Sequence, residues 1–328
     1  MNRHDVEWAG YWPASPTPFA ASTTADGAVD EAALAELMEL YVSQGVHGVL
    51  INGSTGEWFS QTAAERRRVA EVAVSAVAGR VPVVIGVSSY TAEDAAALAR
   101  DAAAAGADGI LSTVPPYVHP SPAEALEFFR TVSEATDLPF MAYNWPRGVS
   151  VDLALVPGLM SAIADLPQVA AIKDSTGDWN AMVGTIQEVA DRVRVFGSLS
   201  HRKGLAMIAG LGGDGAIDGG GVGAPFGVPF FDAALSGDLE LARFWVDKYQ
   251  AVSGRMIAGD YSGRFASPIA QLKAAMDLLE QPGGHLRLPL LPVTDPETLA
   301  TIAQILREAD LPVSADREQS VIAERAAW

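Results

Sequence analysis

"VAAIKDSTGD", residues 169–178, sets a lysine directly behind a short apolar run and follows it with residues that turn a chain. The run reads as a buried strand, and a helical pattern begins where the quoted stretch ends. A lysine in that place has two readings. If the strand stops at the surface, the aliphatic stem lies on the protein and the ammonium stays in water. If apolar walls surround it, the ammonium loses hydration, its pKa falls, and the neutral amine becomes a nucleophile for a carbonyl carbon. Lysine is also scarce here: of 22 basic residues only Lys173, Lys203, Lys248 and Lys273 are lysines.

Outward from this stretch, the same strand-then-helix alternation recurs. β-rich runs occur at 11–19, 45–53, 81–89, 107–115, 138–146, 169–175, 193–199 and 214–220, and alanine-rich amphipathic stretches lie between them at 31–44, 62–78, 92–105, 122–135 and 178–190. Alternation of this kind makes a parallel sheet covered by helices. Eight β/α units fit a closed (β/α)8 TIM barrel of the α/β class. An open doubly wound sheet needs a nucleotide fingerprint after its first strand, and none follows "YWPASPTPF". "GGGVGA", at 219–224, has the spacing of a dinucleotide loop but lacks that context, so it reads as backbone making room.

The expected organisation is a catalytic barrel over 1–227, a C-terminal helical extension over 228–312 with a final helix at 295–309, and a loosely held tail over 313–328. With 328 residues and 49% hydrophobic content, the chain can bury a large core. Its net charge of −18 disfavours nucleic acid and anionic membranes as partners. With no cysteine there is no disulfide, thiolate nucleophile or thiolate-held metal. No His, Asp and Glu cluster has metal-ligand spacing, so neither a metal nor another cofactor is expected. The start, "MNRHDVEWAG", lacks an apolar leader, no run is long enough to cross a membrane, and the expectation is a cytoplasmic protein.

In a barrel of this kind, chemistry sits where strands end and βα loops begin. Those ends carry "GSTGE" at 53–57, "PPY" at 115–117, "YNWPR" at 143–147, "IKDS" at 172–175 and "IDGGG" at 217–221. The chain resembles the N-acetylneuraminate lyase and dihydrodipicolinate synthase superfamily of Schiff-base barrels over about residues 10 to 311. The resemblance is carried by "ASPTPF", "GVLINGSTGEWFSQT", "GRVPVVIGV", "GADGILSTVPPY", "YNWP", "AAIKDSTGD" and "PGGHLRLPLLPVTD". It implies that Lys173 condenses with the ketone of pyruvate or another 2-oxo acid, that Tyr143 relays protons, and that Ser54 and Thr55 bind the carboxylate. Thr55 is also counted with the catalytic residues, and Gly53, Tyr117, Arg147, Ile217 and Asp218 with the substrate-binding ones. Partners are then a small 2-oxo acid and an aldehyde, and the resemblance implies a homo-oligomer, dimer or tetramer.

Elementary chemistry agrees. A protonated imine is an electron sink, so a bound 2-oxo acid can form an enamine and make or break a carbon–carbon bond. A phenol can give and take protons along that path. Gly53 and Gly56 allow a tight loop whose N–H groups approach a carboxylate. Two departures bear on the second substrate. Synthases of the family carry "PYY", whose second tyrosine completes a relay across a subunit contact, whereas Val118 follows Tyr117 here. They also carry an arginine in "YNVPSRTG" that binds the second carboxylate, where ungapped alignment places Gly148, with Arg147 one residue early. The expectation is a pyruvate-releasing or pyruvate-adding lyase or aldolase. Its rivals are a dehydratase resembling 5-dehydro-4-deoxyglucarate dehydratase and a non-catalytic ligand-binding barrel. Asp218 reads as an acid/base, a hydroxyl anchor or a loop carboxylate, Glu57 as a brace for its loop, and His119 and His201 as ordinary surface or loop histidines.

Overall fold

Proline and glycine set the length of the strands: in the first run Pro13, Pro16 and Pro18 leave no ladder donors, so only Gly10–Pro13 forms β1. The computed structural model describes residues 1–21 and 27–326. The other strands are β2 (Val49–Ile51), β3 (Val83–Gly86), β4 (Gly109–Thr113), β5 (Phe140–Asn144), β6 (Val169–Asp174), β7 (Arg194–Gly197) and β8 (Gly215–Asp218). Neighbours pair in parallel in the order β1-β8-β7-β6-β5-β4-β3-β2. A parallel bridge between Ala14 and Leu50, with the Ser15 N–H donating to the Leu50 carbonyl at 2.9 Å, closes the ring. The chain is an eight-stranded (β/α)8 barrel.

The helices are α1 (Glu31–Ser43), α2 (Ala63–Val77), α3 (Ala92–Ala104), α4 (Pro122–Ser133), the short α5 (Pro146–Val149) and α6 (Leu159–Ala164), α7 (Trp179–Val189), α8 (Arg202–Leu211), α9 (Gly220–Ser236), α10 (Leu239–Met256), α11 (Pro268–Leu278), α12 (Pro296–Glu308) and α13 (Ala315–Arg325). Their starts are written in the sequence. Thr62 with Glu65, and Ser121 with Glu124, form reciprocal capping boxes, and Asp30, Thr91, Asp178 and Asp238 cap α1, α3, α7 and α10.

Alternation along the strands divides the apolar residues into two cores. Trp12, Leu50, Val84, Leu111, Met141 and Phe196 fill the barrel, with Trp8 beneath them, edge-on to Trp12 at 5.7 Å. The outward residues pack against the helices. One irregularity places the site. Between β5 and β6 the register moves from Phe140 opposite Val169 to Met141 opposite Ala171, leaving Ala170 as an extra residue on β6. Such a bulge reverses which face the following residues take. Val169 therefore joins the outer core, while Lys173, opposite Tyr143, turns inward.

Two expectations need correction. The barrel boundary at 227 falls inside α9, which is the eighth barrel helix and runs on to Ser236. Residues 314–326 are not a loose tail. Ser314 caps α13, Val321 is buried, and the Arg325 Nε donates to the Asp277 carboxylate of α11 at 3.0 Å. No helix among the described residues is long and apolar enough to cross a membrane.

Candidate active site

Lys173 is the next-to-last residue of β6 and is 8% exposed. Its Nζ lies 3.9 Å from the centroid of the Tyr143 ring. Burial strips water from the ammonium and brings its pKa down to about 8, against the opposing pull of the Asp218 carboxylate. The neighbouring residue fixes the strand end. Asp174 is fully buried and accepts hydrogen bonds from Asn144 Nδ2 at 2.9 Å, the Thr176 N–H at 3.0 Å and Thr185 Oγ1 at 2.7 Å. Burial raises the Asp174 carboxyl, and those donors hold it back. Those bonds hold the strand end from its outer side, while Lys173 itself lines the cavity.

Tyr143 is equally enclosed. Its ring stacks on Trp145, 6.0 Å between centroids and 16° from parallel, so it lies between an indole and the Lys173 ammonium. Burial pushes the phenol well above its ordinary pKa, a hydrogen bond with Ser175 counters this, and the charges of Asp174 and Asp218 add to the rise. The phenol is thus a neutral donor beside an amine that readily loses its own proton.

The loop after β2 is held by backbone and side chain alike. The Gly56 N–H donates to the Gly53 carbonyl at 3.0 Å, and Thr17 Oγ1 and Gln61 Nε2 donate to the Gly56 carbonyl at 2.8 and 2.7 Å. A Cβ on Gly86 would lie 2.3 Å from the Asn52 carbonyl oxygen, so β3 can approach the loop only because residue 86 is glycine. Glu57 is the anchor. It takes the left-handed backbone at φ 55°, is fully buried, and its Oε1 meets Lys273 Nζ of α11 at 2.7 Å. The Arg287 N–H donates to its other oxygen at 3.2 Å, while Lys273 also donates to the carbonyls of Thr17, at 2.8 Å, and His285. Glu57 thus braces its loop, and the brace comes from the C-terminal extension.

These elements surround one cavity of about 680 Å³, a size that holds molecules much larger than pyruvate. Ser54, Thr55, Tyr143, Arg147, Lys173, Ile217 and Asp218 all line it, so most of the residues proposed from sequence converge. Two do not. Gly53 builds the turn beneath Ser54 and Thr55 and does not line the cavity. Tyr117 is 91% exposed and also lies off the cavity, because Pro115 and Pro116 end the β4 ladder and left-handed backbone at Tyr117 and His119 turns the loop outward. His201 is not an ordinary surface residue: its Nδ1 caps α8 by accepting the Gly204 N–H at 2.8 Å, and its ring meets Trp179 edge-on, 4.3 Å between centroids, at the cavity wall.

Sequence reasoning missed the wall supplied by Trp145, Trp179, Ser200, Tyr249, Gln250 and Tyr261. Trp145 alone had a local signal, standing next to Tyr143 and Asn144 at a strand end. Tyr249 and Gln250 belong to α10, whose pattern shows that one face is buried but not what it covers.

An amine that is partly neutral near pH 7, a phenol against it and a hydroxyl-bearing loop at one strand-end cavity can form and hydrolyse an imine. The model of the dihydrodipicolinate synthetase family matches residues 9–309. An uncharacterized DapA-like lyase of Rhizobium meliloti is 35% identical over 294 residues, covering 88% of this chain and 92% of that protein. The 4-hydroxy-tetrahydrodipicolinate synthase of Salinibacter ruber is 33% identical over 294 residues, covering 89% and 92%. Among solved structures, YagE, a prophage protein of the dihydrodipicolinic acid synthase family from E. coli K12 in complex with pyruvate, superimposes with a TM-score of 0.83 at 28% identity, over 94% of this chain and all of that one.

Proposed function

Because the chain belongs to the dihydrodipicolinate synthetase family, we propose that it is a Schiff-base lyase of the class I aldolase type in which Lys173 attacks the ketone carbon of pyruvate. The observation that carries this reading is the desolvated amine of Lys173 set against Tyr143 inside a cavity. The neutral amine adds to the ketone carbon, the resulting hydroxyl is protonated and leaves as water, and an iminium remains. Loss of a methyl proton from the bound pyruvate then gives an enamine, whose carbon adds to an aldehyde. The reverse sequence cleaves the same bond and releases pyruvate. Tyr143 holds and returns protons at the ketone oxygen, and Ser54 and Thr55 bind the pyruvate carboxylate. The family resemblance alone supports a cytoplasmic homo-oligomer.

No feature of the cavity favours expulsion of water over cleavage of a carbon–carbon bond, and the dehydratase reading is not adopted. A binding-only barrel is disfavoured by the intact pairing of Lys173 with Tyr143. The test is exchange of the pyruvate methyl protons in D2O followed by proton NMR. The wild-type protein should exchange them and Lys173→Arg should not, since a guanidinium stays protonated. Absence of exchange in the wild type, or its survival in Lys173→Arg, contradicts the proposal.

A further inference from the structure

The cavity is far larger than a pyruvate site requires, and three observations at its β7 and β8 side describe what the remainder accepts. First, Asp218 is the only acidic side chain among the described residues that line it. Its Oδ1 accepts the Gly219 N–H at 2.9 Å, and the buried Tyr249 of α10 shares the cavity wall with it. A carboxylate has about four acceptor positions, so capacity remains on the side that faces the cavity. Second, Ser200 at the cavity wall is only 3% exposed, and its buried hydroxyl has no hydrogen-bond partner among the described residues. Gln250 Nε2 clamps the Ser200 carbonyl at 2.6 Å, which keeps the serine in place. A buried hydroxyl without a partner calls for an explanation, and a ligand group is one. Third, the guanidinium of Arg147, the only one among the described residues that line the cavity, donates to the Tyr261 carbonyl at 2.9 Å.

A second carboxylate would therefore meet the Asp218 carboxylate, while one N–H of the Arg147 guanidinium is already taken by the Tyr261 carbonyl. A hydroxyl would find a carboxylate acceptor and an unfilled serine. Resting on the Schiff-base reading above, we propose that the acceptor end binds an uncharged, hydroxylated aldehyde, with Asp218 and Ser200 as its specificity-determining contacts and Asp218 excluding acceptors that carry a second carboxylate. In the cleavage direction the substrate is then a hydroxylated 2-oxo acid with no second acidic group.

The test measures kcat/KM for pyruvate addition to D-glyceraldehyde, propanal and succinic semialdehyde, with borohydride trapping of pyruvate run in parallel on each variant. The wild type should prefer D-glyceraldehyde to succinic semialdehyde by about tenfold or more, the scale of a hydrogen bond to a charged group. Asp218→Asn should narrow that preference from both sides, lowering the hydroxylated acceptor and raising the anionic one. Ser200→Ala should lower D-glyceraldehyde about three- to tenfold and leave propanal unchanged. If pyruvate is trapped but the wild type prefers succinic semialdehyde, or accepts none of the three, or shows a ranking that neither variant moves, this inference is overturned while the Schiff-base reading stands. If the wild type traps no pyruvate, that reading falls and takes this one with it.

Discussion

An amine whose pKa is about 8 is neutral in roughly a tenth of molecules at pH 7, against about one in three thousand for an ordinary lysine. That difference follows from the walls around Lys173. It sets the pH dependence: the nucleophile is the neutral form, so the rate of imine formation should rise about tenfold from pH 7 to 9 and then level. A rate still climbing steeply at pH 10 would show an unshifted lysine. Tyr143 is the complementary case, a phenol that burial keeps protonated. Tyr143→Phe keeps the stacking on Trp145 and removes the proton, so turnover should fall by about 10²–10⁴-fold while the fold is retained. Unaltered turnover, measured beside an unchanged circular dichroism spectrum, would leave Tyr143 a packing residue. Lys173 stood out in the sequence as a lysine directly behind an apolar run, and the family resemblance singled out Tyr143; both line the same cavity. Tyr117 lies off the cavity, and residue type and position after a strand say nothing about which way a proline-directed loop turns.

Two devices at the scale of single elements place those residues. One is the bulge at Ala170, without which Lys173 would face the helices; nothing in "VAAIKD" announces it, since alanine suits either face. The other is the ion pair that ties the Ser54–Thr55 loop to α11. Glu57 and Lys273 are both completely buried, and burial is the main force lowering the Lys273 pKa, with Glu57 opposing it. Removing one partner leaves a buried charge unpaired, so Lys273→Met should destabilise the protein by about 3–5 kcal/mol. Glu57→Gln added to Lys273→Met removes that charge and should recover part of the loss. Because the loop is left without its anchor, the double variant should still show a raised KM for pyruvate. Equal denaturation midpoints for the single and double variants, with KM unchanged, would refute the brace. Its acidic half was readable in "GSTGE", but its basic half lies more than two hundred residues away, on a helix whose sequence identifies no partner.

Over the whole molecule, the alternation of runs was sufficient to identify a closed barrel, because the eight strand runs, several of the connecting helices and most helix caps are encoded locally. What the C-terminal region does was not legible. Read as an appendage, it instead supplies Tyr249 and Gln250 to the cavity wall, Lys273 and Arg287 to the loop after β2, and a docked final helix. These are contacts between distant parts of the chain, and periodicity reports only that a face is buried. The barrel and its extension thus both build the cavity that holds Lys173, and the account stands or falls on that amine. Borohydride reduction in the presence of pyruvate, followed by intact mass and peptide mapping, addresses it most directly. The account predicts one reduced pyruvate adduct per chain, located at Lys173 and lost in Lys173→Arg. An adduct at Lys203, Lys248 or Lys273, or none at all, would contradict it.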